Sequence, residues 1–160
     1  MRSNITVRLA KHEDVNSLVV LSEQLGYQTT VNEITERLPK LQEMEEHAVF
    51  VAVSQDDRVL GWIHVFISHR LVTDTYAELG GLVVADGQRS QGIGEQLVAE
   101  AEQWAEEKGM DVLRIRARAS RERAHQFYAR IGYQLWKDQK VFEKYLHKSG
   151  VNKPDASRKG

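Results

Sequence analysis

The chain has 160 residues, 41% of them hydrophobic, a net charge of −1 and no cysteine. That size suits one domain around one core, and the near-neutral balance exerts no global pull toward nucleic acid or an anionic membrane. Without a thiol, a disulfide framework, a thiolate zinc site and a cysteine nucleophile are all excluded. No run approaches the ~20 apolar residues of a membrane span, and the opening MRSNITVRLAKHEDV turns polar at once, unlike a signal peptide. The expectation is a cytoplasmic protein with no membrane or nucleic-acid partner.

Ile5, Val7 and Leu9 alternate with polar residues as in a half-buried strand, and KHEDVNSLVVLSEQLG then takes helical spacing up to Gly26. Thr30 stands three residues before Glu33, the spacing of a capping box, and Ile34, Leu38 and Leu41 share one face. Pro39 should bend or break that helix. AVFVAV and VLGWIHVFI, joined by SQDDR, predict a β-hairpin. YAELGGLVVA predicts the next strand, GEQLVAEAEQWAEEKG a helix with Leu97, Ala101 and Trp104 on one stripe, and DVLRIRA a further strand. Ser120 is placed to cap RERAHQFYARIG, Gly132 to close it, and YQLWKDQKVFEKYL reads as two last strands. We expect a single domain over 1–147 and a flexible polar tail over 148–160.

The junction GQRSQGIGEQL is the informative one. Three glycines, Gly87, Gly92 and Gly94, lie between a buried strand and a helix, where they weaken the chain unless the backbone is needed there. A helix that starts after such a loop presents unpaired N–H groups and the positive end of its dipole, an anion cradle to which Arg89 can add a charge. A tight turn alone is the other reading. The dinucleotide fingerprint fails because its third glycine falls on Leu97, and a P-loop fails because Glu95 and Gln96 follow Gly94.

Arg89, Gly92 and Gly94 resemble the Arg/Gln-x-x-Gly-x-Gly/Ala signature of the GCN5-related N-acetyltransferases. Ala124, Phe127, Tyr128, Gly132 and Tyr133 fit a second motif of that family, and the likeness in element order runs from about Thr6 to Leu146. The resemblance implies an α/β fold: a mixed, mostly antiparallel seven-stranded sheet, splayed around the strand Glu78–Ala85, with helices on both faces. It implies acetyl-CoA as cosubstrate. The main chain of Arg89, Ser90, Gln91, Gly92, Ile93, Gly94 and Glu95 would wrap its pyrophosphate, and an amide near Leu82, Val83 or Val84 would meet the thioester carbonyl. Arg121 departs from an asparagine found in many relatives and leaves that position's contact with the pantetheine arm open.

Acetyl transfer from a thioester to an amine leaves a thiolate to be protonated, and a phenol of ordinary pKa near ~10 suits that step. The resemblance assigns it to Tyr128; helical packing with Phe127 is the alternative from spacing. The ammonium must also lose a proton before attack. Glu78 matches the catalytic glutamate of the histone acetyltransferase branch in its spacing from the glycine loop, and Gly80–Gly81 after it predicts a bulge. An arginine- or lysine-paired carboxylate is the equal alternative.

Smaller signals remain. His64, His69 and His125 show no metal-ligand spacing, so no metal site is expected. RIRARASRER looks like a solvated arginine face or a contact for the adenosine end of CoA. Tyr27, Gln28 and Thr29 are candidates for the acceptor wall. The element order and QLGYQTT…LPKLQEM look most like relatives that acetylate small amines, such as aminoalkylphosphonates or aminoglycosides, by direct attack in a ternary complex. A protein or peptide N-acetyltransferase and a non-catalytic acyl-CoA-binding module are the alternatives. Family habit suggests a homodimer, with YQLW and KVFEKYL able to pair across it.

Overall fold

The computed structural model describes residues 4–88, 91–117 and 122–147. Two compact units emerge, Met1–Arg116 and Ala117–Gly160. The first carries the sheet. Strands β1 (Thr6–Leu9), β2 (His47–Val53), β3 (Val59–Ser68) and β4 (Tyr76–Val84) pair antiparallel in that order, and β5 (Leu113–Ile115) adds parallel to β4.

Helix α1 (Val15–Gln24) follows a 3-10 turn at His12–Asp14, and α2 (Val31–Glu43) follows the capping box read from the sequence. Thr30 Oγ1 accepts from the Glu33 amide at 3.1 Å while the Glu33 carboxylate accepts from the Thr30 amide at 2.9 Å. Pro39 does not break α2. A proline inside a helix removes one backbone donor, here the one that would reach the Thr35 carbonyl, and the burial of Leu38 against the sheet offsets that loss.

Side chains alternate across the sheet, so its two faces take different helices. Val49, Val51 and Val53 of β2 pack under Val15, Leu18 and Leu38 of α1 and α2, with Trp62 beside them. Helix α3 (Ile93–Glu107) packs against β3 and β2. Its buried stripe is Ile93, Leu97, Val98, Ala101 and Ala105; Trp104, expected on that stripe, is half-buried instead, with the Lys108 ammonium over its ring. Each large apolar side chain buried in this way contributes about 1.5–3 kcal/mol.

In the second unit, α4 (Glu122–Arg130) ends at Gly132, whose φ is 104°. The two last strands expected over 133–146 are absent: the described sheet has five strands, not seven. A strand exists only where a ladder partner takes its amides and carbonyls. Residues 133–146 take part in no such ladder among the described residues, and Leu135, Val141, Phe142 and Leu146 stay exposed. Ser120 and the tail 148–160 lie outside the described residues.

Candidate active site

Strand β4 is interrupted where the glycine pair predicts. His64 pairs with Gly81 but Val65 pairs with Leu79, so Gly80 is the extra residue of a bulge. Side chains cannot be accommodated here: a Cβ on Gly80 would lie 2.5 Å from His64 Nδ1, and one on Gly81 would lie 2.7 Å from the Trp62 ring. The bulge also changes which way the amides point. Before it, the Ala77 amide donates toward the β5 side, to the Val112 carbonyl at 2.9 Å. After it, the Ala85 amide donates to Leu60, toward β3, at 2.8 Å. Successive strand amides alternate, so those of Leu82 and Val84 point to the β5 side and that of Val83 back to β3. Pairing with β5 covers only Ala77 to Leu79, which leaves the rest of that edge without a strand partner among the described residues.

Beyond β4, Gly92 is the N-cap of α3 in the left-handed conformation, with φ 80° and ψ 9°. L-residues with a side chain resist that conformation by about 1–2 kcal/mol. Among the described residues, no side chain caps the helix and nothing lies within 4 Å of where a Gly92 Cβ would be. The first amides of α3, at Ile93, Gly94 and Glu95, have no partner within the helix, as at any helix start. Gln91 precedes the cap; Arg89 and Ser90 lie outside the described residues, as does Arg121.

Glu78 is buried, and its Oε1 accepts from Arg116 Nε at 3.2 Å and from the Tyr76 hydroxyl at 3.4 Å, with Arg70 Nη2 at 3.9 Å. The Arg114 guanidinium lies over the Tyr76 ring, 4.1 Å from its centroid. Thus Arg114 and Arg116 of the arginine-rich segment are engaged at the β4–β5 seam, with Arg116 still exposed on its outer side. Burial works against the charged form of the Tyr76 phenol, but hydrogen bonds from Ser68, Arg114, Arg70 and Arg116 outweigh it and hold the pKa below its ordinary range. Burial likewise opposes the Arg116 charge, and Glu78 more than restores it, raising the pKa.

One feature of this face carries little signal as a site in the sequence. His47, on the neighbouring strand, stacks with both His64 and Phe66, and His47 Nδ1 lies 3.0 Å from His64 Nε2. Burial, then the nearby His47, pushes the His64 imidazole down to about 4, so it is neutral at physiological pH. Its even-numbered position beside Trp62 is the available signal; the approach of His47 depends on strand register. His69 instead pairs with Glu46, outside this cluster.

His64 and Gly80 end a cavity of about 220 Å3 between α1, α2 and the sheet. Leu18, Leu38, Leu41 and Trp62 form much of its wall. Of the expected acceptor-wall residues, Tyr27 and Thr29 line it and Gln28 does not. Tyr128 belongs to the second unit. It stands half-buried on α4, edge-on to Phe127 and Tyr133 at centroid distances of 5.2 and 6.1 Å, and its carbonyl accepts from the Tyr133 amide at 2.9 Å.

A family model described as the acetyltransferase (GNAT) family matches residues 18–133. The chain belongs to the GNAT acetyltransferases. The GNAT fold is shared with solved structures of low sequence identity. Aminoglycoside 6'-N-acetyltransferase AAC(6')-Ih from Acinetobacter baumannii is 16% identical with a TM-score of 0.79, over 90% of this chain and 100% of that one. AAC(6')-Iy, solved with the bisubstrate analog CoA-S-monomethyl-acetylneamine, is 18% identical with a TM-score of 0.80, over 89% and 99%. A Trypanosoma brucei acetyltransferase is 16% identical with a TM-score of 0.74, over 88% and 100%. A search of curated protein sequences returned no significant match. Within the GNAT signature, Gly92 and Gly94 occupy the helix start described above, and Glu78 lies on the bulged strand before it.

Proposed function

We propose that this GNAT protein transfers the acetyl group of acetyl-CoA to the primary amine of a small molecule, by direct attack and without an acetyl-enzyme. The observation that carries the reading is the run from a bulged β4 edge, without a strand partner beyond Leu79 among the described residues, into a glycine-capped helix. The uncovered edge suits an amide-bearing pantetheine arm, and the open cap of α3 suits a pyrophosphate. Bound acetyl-CoA supplies the acetyl group as a thioester. The amides of Leu82 and Val84 are the donors available to the thioester carbonyl, where developing negative charge is best met by fixed dipoles. Arg89, Ser90, Gln91, Gly92, Ile93, Gly94 and Glu95 hold the phosphates.

Two groups must handle protons. The amine loses a proton as its nitrogen bonds to the carbonyl carbon, and the sulfur gains one as the C–S bond breaks. Tyr128 is assigned the second task by its motif. Glu78 is assigned the first, with Arg116, Tyr76 and Arg70 fixing its carboxylate. A second reading of the base rests on one observation: His64 lines the cavity, whereas Glu78 is not among the lining residues. In that reading His64 takes the proton and passes it to His47 across the 3.0 Å between their ring nitrogens.

The test is thiol release from acetyl-CoA over a panel of primary amines, in wild type, Tyr128→Phe, Glu78→Gln and His64→Gln. Loss of about 100-fold or more in kcat for Tyr128→Phe supports its role. Unchanged turnover in both Tyr128→Phe and Glu78→Gln would remove the assigned chemistry. The variant that abolishes the acidic limb of the kcat/KM profile identifies the base. A cytoplasmic homodimer completes the reading, supported by the exposed Leu135, Val141 and Phe142 and tested by sedimentation.

A further inference from the structure

Resting on that functional reading, we infer that the cavity between α1, α2 and the bulge selects a primary monoamine with a single apolar ring and a neutral oxygen, rather than a polycationic amine.

Size comes first. At about 220 Å3 the cavity exceeds the ~150 Å3 that suffices for benzene, with room for a ring and a short aminoalkyl arm. Its wall is apolar where the ring would sit, against Leu18, Leu38, Leu41 and Trp62. Charge comes second. None of the described lining residues is acidic, and Arg37, the cation among them, is joined to Glu33 at 3.1 Å, a neutral pair. Several ammonium groups entering this space would lose hydration with no carboxylate among the described lining residues to replace it. One amine avoids that cost by lying at the Gly80 and His64 end, where Nδ1 of the neutral imidazole accepts in the tautomer whose Nε2–H donates to His47.

Two unsatisfied polar atoms supply the third part. Trp62 Nε1 and Thr29 Oγ1 are buried and have no hydrogen-bond partner among the described residues. Both residues line the cavity. An indole N–H only donates, so its complement is an acceptor, and a hydroxyl adapts to either role. A small side-chain shift that opened either atom to the cavity would let a hydroxyl or carbonyl oxygen on the ring satisfy it, whereas a hydrocarbon leaves it unsatisfied.

The experiment measures kcat/KM at saturating acetyl-CoA for tyramine, phenethylamine, spermidine and neamine. In parallel, saturation-transfer NMR reports acceptor binding without turnover. Tyramine should lead the two polycations by at least about 100-fold and phenethylamine by about 3–10-fold. Thr29→Val, a near-isosteric change, should narrow the tyramine preference over phenethylamine. Leu41→Trp, at a partly buried wall position, should raise the KM for tyramine at least about 10-fold while leaving acetyl-CoA affinity unchanged. Preference for a polycation, or indifference of tyramine to Leu41→Trp in a folded variant, would overturn the inference. If no amine is acetylated, the enzymatic reading fails separately. The cavity inference then stands if tyramine shows saturation transfer that Leu41→Trp abolishes, and falls if it shows none.

Discussion

Acidification from pH 7 to pH 4 should destabilise the protein mainly through His64. Its imidazole is held at about 4 in the folded chain against an ordinary 6.5, because the ring is buried beside His47. A group whose folded pKa is depressed favours folding only while it is neutral in both states, that is, above the unfolded value. As pH falls from 6.5 toward 4, the unfolded chain takes up a proton that the folded chain refuses, so stability drops across that window. At ~1.4 kcal/mol per pH unit the full loss would be about 3 kcal/mol. The ring edge at the cavity retains some hydration, so we expect about 2 kcal/mol. Asp14 does not confuse the reading. Burial raises its pKa, but the Arg8 hydrogen bond at 2.7 Å and the Lys11 amide outweigh that and lower it below 3.8, so its contribution is lost only at more acid pH. Urea denaturation of wild type and His64→Gln at half-unit pH intervals measures the difference; glutamine keeps a polar partner for His47 without titrating. The wild type should lose stability between pH 6.5 and 4 that the variant does not. Parallel profiles would refute the assignment of the acid sensitivity to His64.

Other perturbations test the remaining supports. Gly80→Ala forces a methyl against the His64 ring and should cost about 1–3 kcal/mol by urea midpoint, with the His47 and His64 rings moved apart in NMR. Gly92→Ala meets no atom of the described residues but must adopt φ 80°, so it should cost about 1–2 kcal/mol and weaken acetyl-CoA binding in calorimetry. Thr30→Ala removes the side-chain cap of α2 and should lower stability by about 1 kcal/mol without changing acetyl-CoA affinity.

Local rules were legible in the sequence where neighbours in the chain decide the outcome. The Thr30–Glu33 capping box, the 47–68 hairpin and the Gly80 bulge each depend on a few adjacent residues, and each forms. A helix start after the glycine loop was legible too, while the left-handed φ of 80° at Gly92 emerges only in the structure. Contacts set by strand register were not legible. Glu78 could be read as base or as ion-pair partner, and Arg116 reaches it only because β5 lies parallel beside β4, 38 positions along the chain. The approach of His47 to His64 spans two strands in the same way. Helix α2 shows propensity yielding to packing, since Leu38 is buried next to Pro39. The hydrophobic alternation over 133–146 predicted strands, but alternation alone supplies no partner for a ladder.

Calorimetric titration of the purified protein with acetyl-CoA, with NAD as the control, bears most directly on the central claim. The bulged edge and the open cap of α3 predict micromolar, one-to-one binding of acetyl-CoA and none of NAD. Absence of acetyl-CoA binding to the folded protein would contradict the cosubstrate assignment, and with it the roles given to Glu78, Tyr128 and the amides of Leu82 and Val84.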